Sequence, residues 1–200
     1  MKRIFIFMTA LALLATACNK GQEFTLTGDL ASAEFNPITE SLLLQSDALP
    51  DIVTIPVQDG KFSYAGKVEK PAAATLKTVG AKTETRMVVL EKGAITFQGG
   101  LPAGTKLNDA ASELSRSMRT IMKENAGKES ALKTLRSYLS DHGKDASAVI
   151  AIMIARRFVS PEELSELIAM TSPEIQTDSQ VHRIKKQLNS MLKKAQDQAE

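Results

Sequence analysis

The spacing of apolar side chains changes once along this chain, near residue 105. From Phe24 to Gln98 the hydrophobic positions come in short runs with period two, broken by Gly, Pro and Asp. Phe24-Thr25-Leu26-Thr27-Gly28 alternates apolar and polar, the mark of a half-buried strand. Ser41–Gln45, Asp51–Val57, Ala74–Val79, Arg86–Leu90 and Ala94–Gln98 are further strand candidates. In VQDGKFSYAGKV, Val57 to Val68, the Asp59-Gly60 pair predicts a tight hairpin, because both central residues of a type I′ turn take positive φ. Phe62 and Tyr64 then share one face of the returning strand. Glu91-Lys92-Gly93 reads as the turn into the strand that starts at Ala94, and Gly99, Gly100 and Gly104 frame a Leu-Pro-Ala turn.

From Asn108 onward the period becomes helical. Leu114, Met118, Ile121 and Met122 fall on one face of a first helix, and Leu132, Leu135, Tyr138 and Leu139 on one face of a second, which His142-Gly143 ends. Asp145 is placed to cap a third helix, Ala146–Phe158, which is apolar nearly all round and therefore expected at the centre. Ser160-Pro161-Glu162-Glu163 combines a serine cap, a first-turn proline and a glutamate three residues past the cap. Ser172-Pro173-Glu174 opens another turn. Val181, Ile184, Leu188 and Met191 stripe a last helix whose other face carries Arg183, Lys186, Lys193 and Lys194. The expected architecture is α+β: an antiparallel β-sandwich or curled sheet over residues 24–107, then a bundle of four to five helices over 108–200.

The first 23 residues follow neither pattern. Lys2 and Arg3 precede the apolar run Ile4–Leu14, and Ala15-Thr16-Ala17 lead into Cys18, the only cysteine. A basic start, a short apolar core and small residues before a cut describe a secretory signal peptide. Eleven residues fall short of the about 20 that a membrane-spanning helix needs. An ordinary cleaved signal with an incidental cysteine would share these features. The single cysteine in register with the small residues favours a lipoprotein signal, residues 1–17, with Cys18 lipidated and residues 18–23 a linker. Two or more acyl chains give stable membrane attachment. The linker holds one acidic residue, Glu23, and lacks the acidic run that accompanies surface export, so the expected location is the outer membrane, facing the periplasm.

Charge and chemistry narrow the function. Loss of residues 1–17 removes Lys2 and Arg3 and leaves 23 basic and 23 acidic residues, a balance that argues against nucleic acid as a partner. With one cysteine no intramolecular disulfide forms, so burial must supply the stability. Neither GxxxxGK[ST] nor GxGxxG nor GxSxG occurs. His142 stands at a helix end and His182 on a charged face; neither belongs to a metal-ligand spacing, and no cofactor is indicated. Glu162-Glu163 are accounted for by helix capping, and Arg156-Arg157 and Lys185-Lys186 by solvated helix surface. Phe62 and Tyr64 are the only candidate binding residues, as aromatics lining a ligand site in the sheet's concavity or at the sheet–helix junction, although aromatics at this spacing are more often core.

The order of FTLTG (24–28), DGKFSYAG (59–66), Pro71, VVLEKG (88–93) and GTKLN (104–108) resembles one family. Ser172-Pro173-Glu174-Ile175-Gln176, with Val181 and the terminal helix, is also similar. The family is the N-terminal domain of unknown function that precedes the thioredoxin-like domain in bacterial thiol:disulfide interchange lipoproteins. The resemblance implies a β-rich domain followed by a helical segment, anchored in the cell envelope. No position matches the family's CxxC, so its redox chemistry does not carry over, and the thioredoxin domain itself is expected to be absent. The expected role is a non-enzymatic accessory or protein-interaction module, serving a separate thioredoxin-like protein or another envelope protein. The alternative is a small-ligand binding lipoprotein. Cys18→Ser is expected to release the full chain from membranes and abolish metabolic labelling by fatty acid; a variant that stays membrane-bound and labelled would contradict the anchor.

Overall fold

The computed structural model describes residues 21–80 and 83–197; Cys18 and the signal segment lie outside these residues. Eight strands come first: β1 (Gln22–Asp29), β2 (Ser41–Gln45), β3 (Val53–Gln58), β4 (Lys61–Val68), β5 (Ala72–Thr78), β6 (Thr85–Leu90), β7 (Gly93–Gln98) and β8 (Leu101–Ala103). Six helices follow: α1 (Lys106–Lys123), α2 (Gly127–His142), α3 (Ser147–Ala155), α4 (Pro161–Ala169), α5 (Pro173–Thr177) and α6 (Ser179–Asp197). The α+β class holds, with one more helix than the largest number expected.

The strands form one sheet in the order β6-β5-β2-β3-β4-β1-β7-β8, curled into a nearly closed barrel. This corrects the sandwich: there is one inner face, not two facing sheets. It also corrects a purely antiparallel sheet, since β1 and β7 pair in parallel. The Leu-Pro-Ala segment forms β8, not a turn. Gly99 and Gly100, with φ of 55° and 72°, supply the positive values that a two-residue hairpin between β7 and β8 requires. Pro102 fits there because an outer strand needs no N–H on its free side.

Period-two alternation sorts the strand residues. Phe24, Leu26, Leu42, Leu44, Ile55, Phe62, Leu76, Val88, Leu90, Ile95 and Phe97 fill the interior as one packed core, as in small barrels whose lumen is side chains and not a channel. Large and small residues interlock across β1 and β4. Phe24 stands opposite Gly66, and Phe62 opposite Gly28. A Cβ on Gly66 would lie 2.7 Å from the Phe24 ring, and one on Gly28 equally close to the Phe62 ring.

The outer face of β5 and β6 carries the helices. Ala73 and Met87 meet the helical core, and Val89 packs with Leu107, Ala111, Ala146 and Ile150. α3 is central, as its all-round apolarity predicts: seven of its nine residues are buried. The Ser160–Glu163 capping box forms in both directions. The hydrogen bond that Lys128 gives Glu163, then the N–H of Ser160, hold the Glu163 carboxyl below its ordinary pKa. Asp145 does not cap α3. Its carboxylate instead pairs with His142 Nδ1 at 2.9 Å, where the imidazole lies against the Tyr138 ring.

Candidate functional site: the barrel seam

The order of strands leaves a seam between β6 and β8, the two outer strands of the curled sheet. At one end the chain itself crosses it, because β6 leads into β7 through Glu91 and Lys92 alone. Along the middle, α1 lies over the seam and bonds to both edges. Asn108 Oδ1 accepts from the Val89 N–H at 2.8 Å, and Nδ2 donates to the Val89 carbonyl at 2.7 Å. One carboxamide thereby replaces both ladder bonds of a missing neighbouring strand. One helical turn later, Ser112 Oγ donates to the Pro102 carbonyl on β8. The i, i+4 spacing puts both side chains on one helix face, and both are fully buried, at 0% and 1% exposure.

Glu91 fixes the start of that helix. Its Oε1 accepts from Thr105 Oγ1 at 2.7 Å, from the Leu107 N–H at 2.7 Å and from the Asn108 N–H at 3.1 Å. The first N–H groups of a helix have no partner within it, and a carboxylate there also meets the positive end of the helix dipole. Thr105 holds the capping position without making a side-chain cap bond; the cap comes from Glu91, fourteen residues upstream. The segments VVLEKG (88–93) and GTKLN (104–108) therefore interlock at this point.

At the other end the seam opens into a cleft of about 650 Å³ between β6, the β7–β8 turn, α1 and α3. Four methionines line it, Met87, Met118, Met122 and Met153, of the six that lie beyond the signal segment. They grade from the buried Met118 to Met122, which is 65% exposed at the rim. Ile150, Ile154 and Phe158 extend the apolar wall. Arg86, Arg119 and Arg157 stand around it with one carboxylate, Glu34. Ligand sites of this kind are concave and largely apolar, with a few placed polar groups.

Phe62 and Tyr64 lie elsewhere. Phe62 is 3% exposed inside the barrel, edge-on to Phe97 at 6.0 Å, and Tyr64 is half-buried against Phe24 at 5.9 Å. Neither lines the cleft. The concavity of the sheet is occupied by the core itself. His182 is exposed on α6. Among the described residues no group of three or more His, Cys, Asp or Glu is placed to hold a metal ion, and no helix is long and apolar enough to cross a membrane.

The sequence reading missed Asn108, Ser112 and Glu91 as working residues. Asn108 and Ser112 interrupt the otherwise apolar stripe Leu107, Ala111, Leu114, Met118, and a polar residue on a buried stripe is the signal that marks them. Comparison with known proteins returns no matching family model, no similar curated protein and no similar solved structure.

Asn108→Ala leaves the Val89 N–H and carbonyl buried without partners, at about 1–3 kcal/mol for each group. Asn108→Asp keeps the acceptor but sets a buried carboxylate oxygen against the Val89 carbonyl and the Glu91 carboxylate, where Nδ2 had donated at 2.7 Å and 3.4 Å, so a loss at least as large as that of the alanine variant is expected. Urea denaturation of the full chain measures both; an alanine variant within about 0.5 kcal/mol of the parent, the range of an ordinary surface change, would contradict the seam bond.

Proposed function

We propose that this chain is a lipid-anchored protein of the cell envelope, held in the outer membrane through Cys18 and facing the periplasm. It acts by binding a small ligand in the seam cleft, not by catalysis. The observation that carries the reading is the cleft: a ligand-sized concavity with a methionine floor and an arginine rim, beside a barrel whose interior is already full. Methionine side chains are unbranched, flexible and polarisable, and adapt to the shape of a guest. The arginines supply the few directional polar groups that such a site uses.

The accessory-protein reading has weaker support. Among the described residues, large exposed apolar side chains on the last helices are limited to Met170 and Met191, which is less than the contiguous apolar patch a docked domain uses. A shallow surface on α6 formed by Arg183, Lys186, Gln187, Ser190 and Met191 is the place where a protein partner, thioredoxin-like or other, would dock.

Native mass spectrometry of the full-length protein, purified from membranes of its host, separates the two. A small-molecule adduct is expected on the parent and not on Ser115→Trp, which puts an indole into the cleft from a half-buried position on the α1 wall. A stoichiometric protein partner without any adduct would overturn the ligand reading in favour of the accessory one. An adduct retained by Ser115→Trp would place the ligand elsewhere.

A further inference from the structure

The cleft's walls differ in chemistry, and the difference bears on what it holds. Resting on the reading that the cleft is the binding site, we propose that it takes a single-tailed anionic amphiphile. The aliphatic chain lies on the methionines, and a carboxylate or phosphate head meets Arg119 and Arg157.

The three arginines are not equivalent. Arg86 is already engaged. Its Nε donates to the Ala33 carbonyl at 2.9 Å, Nη2 to Glu34 at 2.6 Å and Nη1 to Thr85 at 3.2 Å, with the guanidinium 5.1 Å from the centre of the Phe35 ring. Its charge also faces the Glu34 carboxylate at 3.9 Å. Arg86 therefore fastens the segment before β2 to β6 and leaves little for a ligand. Arg119 makes one long bond, from Nη1 to the Gly99 carbonyl at 3.4 Å. Among the described residues neither Arg119 nor Arg157 has a carboxylate partner.

Both side chains are exposed and line the same cleft, from α1 on one side and from the end of α3 on the other. Two guanidinium groups present planar forks of N–H donors to an oxyanion, a geometry that suits carboxylate and phosphate alike. The cleft thus carries excess positive charge, although the chain beyond the signal segment balances to zero.

Away from Arg119 and Arg157 the lining turns apolar toward Met118 and Met153, and its other charged groups, Arg86 and Glu34, face each other at 3.9 Å. A long, unbranched chain matches a floor of unbranched thioether side chains, which follow its bends without forcing a fixed shape. An extended acidic peptide would satisfy the arginines but would set alternating side chains and backbone amides against this floor, where apolar atoms predominate. The amphiphile is the better match.

The test uses the full-length protein in phosphatidylcholine nanodiscs and three photoreactive probes with one common tail: a fatty acid, a lysophosphatidic acid and an uncharged monoacylglycerol. Crosslinked residues are mapped by peptide mass spectrometry. At least one anionic probe is expected to label the segments around Met118–Met122 and Met153–Phe158 roughly tenfold or more above the uncharged probe, the margin that charge-assisted hydrogen bonds give. Which anionic probe labels more strongly tells carboxylate from phosphate. Labelling is expected to fall by a similar factor in Arg119→Glu/Arg157→Glu, two exposed positions where reversal leaves the core untouched.

Equal labelling of the cleft by the uncharged probe, or full labelling of the charge-reversed variant, would overturn the anionic head while the cleft stands as a site. Labelling of the cleft by a photoreactive acidic peptide, with none by the three lipids, would overturn the amphiphile. Labelling at the cleft by none of these four would remove the cleft reading with it.

Discussion

An eight-stranded sheet that curls but does not close has two bare edges, and every buried N–H and carbonyl on them needs a partner. Here those edges, β6 and β8, face each other beneath α1, and the carboxamide of Asn108 supplies what a further strand would have supplied. Most of the architecture depends on that substitution. With Val89 satisfied by a side chain, β6 can keep its outer face apolar and carry the helices. With Ser112 bonded to Pro102, the short β8 is held at its free edge. Glu91 completes the arrangement by capping the helix that delivers both groups, so that the barrel's last turn and the first turn of the helical layer are one network.

The same incomplete closure produces the cleft. The link through Glu91 and Lys92 draws the strands together at one end of the seam, and α1 seals its middle. Toward Thr85 and Gly100 no strand pairing among the described residues joins the two edges, and residues of α1 and α3 line the opening with methionine. Arg86 stabilises that open end from below through the carbonyls of Ala33 and Glu34. Arg119 and Arg157 remain at its rim with their charge uncompensated by any described carboxylate. A structural requirement, satisfying two strand edges, and a binding surface thus arise from one feature of topology.

Much of this fold is legible in the sequence. The period-two runs locate strands β1 to β7, Asp59-Gly60 marks its hairpin, and the change to helical spacing marks the boundary near residue 105. Ser160-Pro161-Glu162-Glu163 announces α4 together with its cap, and the all-round apolar α3 announces the centre of the helical layer. These are local signals, in which the residues that specify an element are also in it. Closure of the sheet is not local. The parallel pairing of β1 with β7 depends on residues about 70 positions apart, and no periodicity records it. The same holds for Glu91, read as part of a turn because its partners at Thr105, Leu107 and Asn108 come after another hairpin. Three residues long and containing a proline, β8 is below what alternation can detect. The cleft is hidden for a related reason: its methionines and arginines come from β6, α1 and α3, and each looks ordinary in its own segment.

The central claim is that α1 is part of the barrel's closure and not a helix resting upon it. Native-state hydrogen exchange on the full-length protein addresses it most directly, through the amides of Val89, Leu107 and Asn108. If the seam network joins the two layers, these three amides exchange only through the global opening that also exposes core amides of β1 and β4, with the same free energy and the same denaturant dependence. Exchange of Val89, Leu107 and Asn108 through a separate, lower-energy opening, with β1 and β4 still protected, would show that the barrel stands without α1 and would contradict the account.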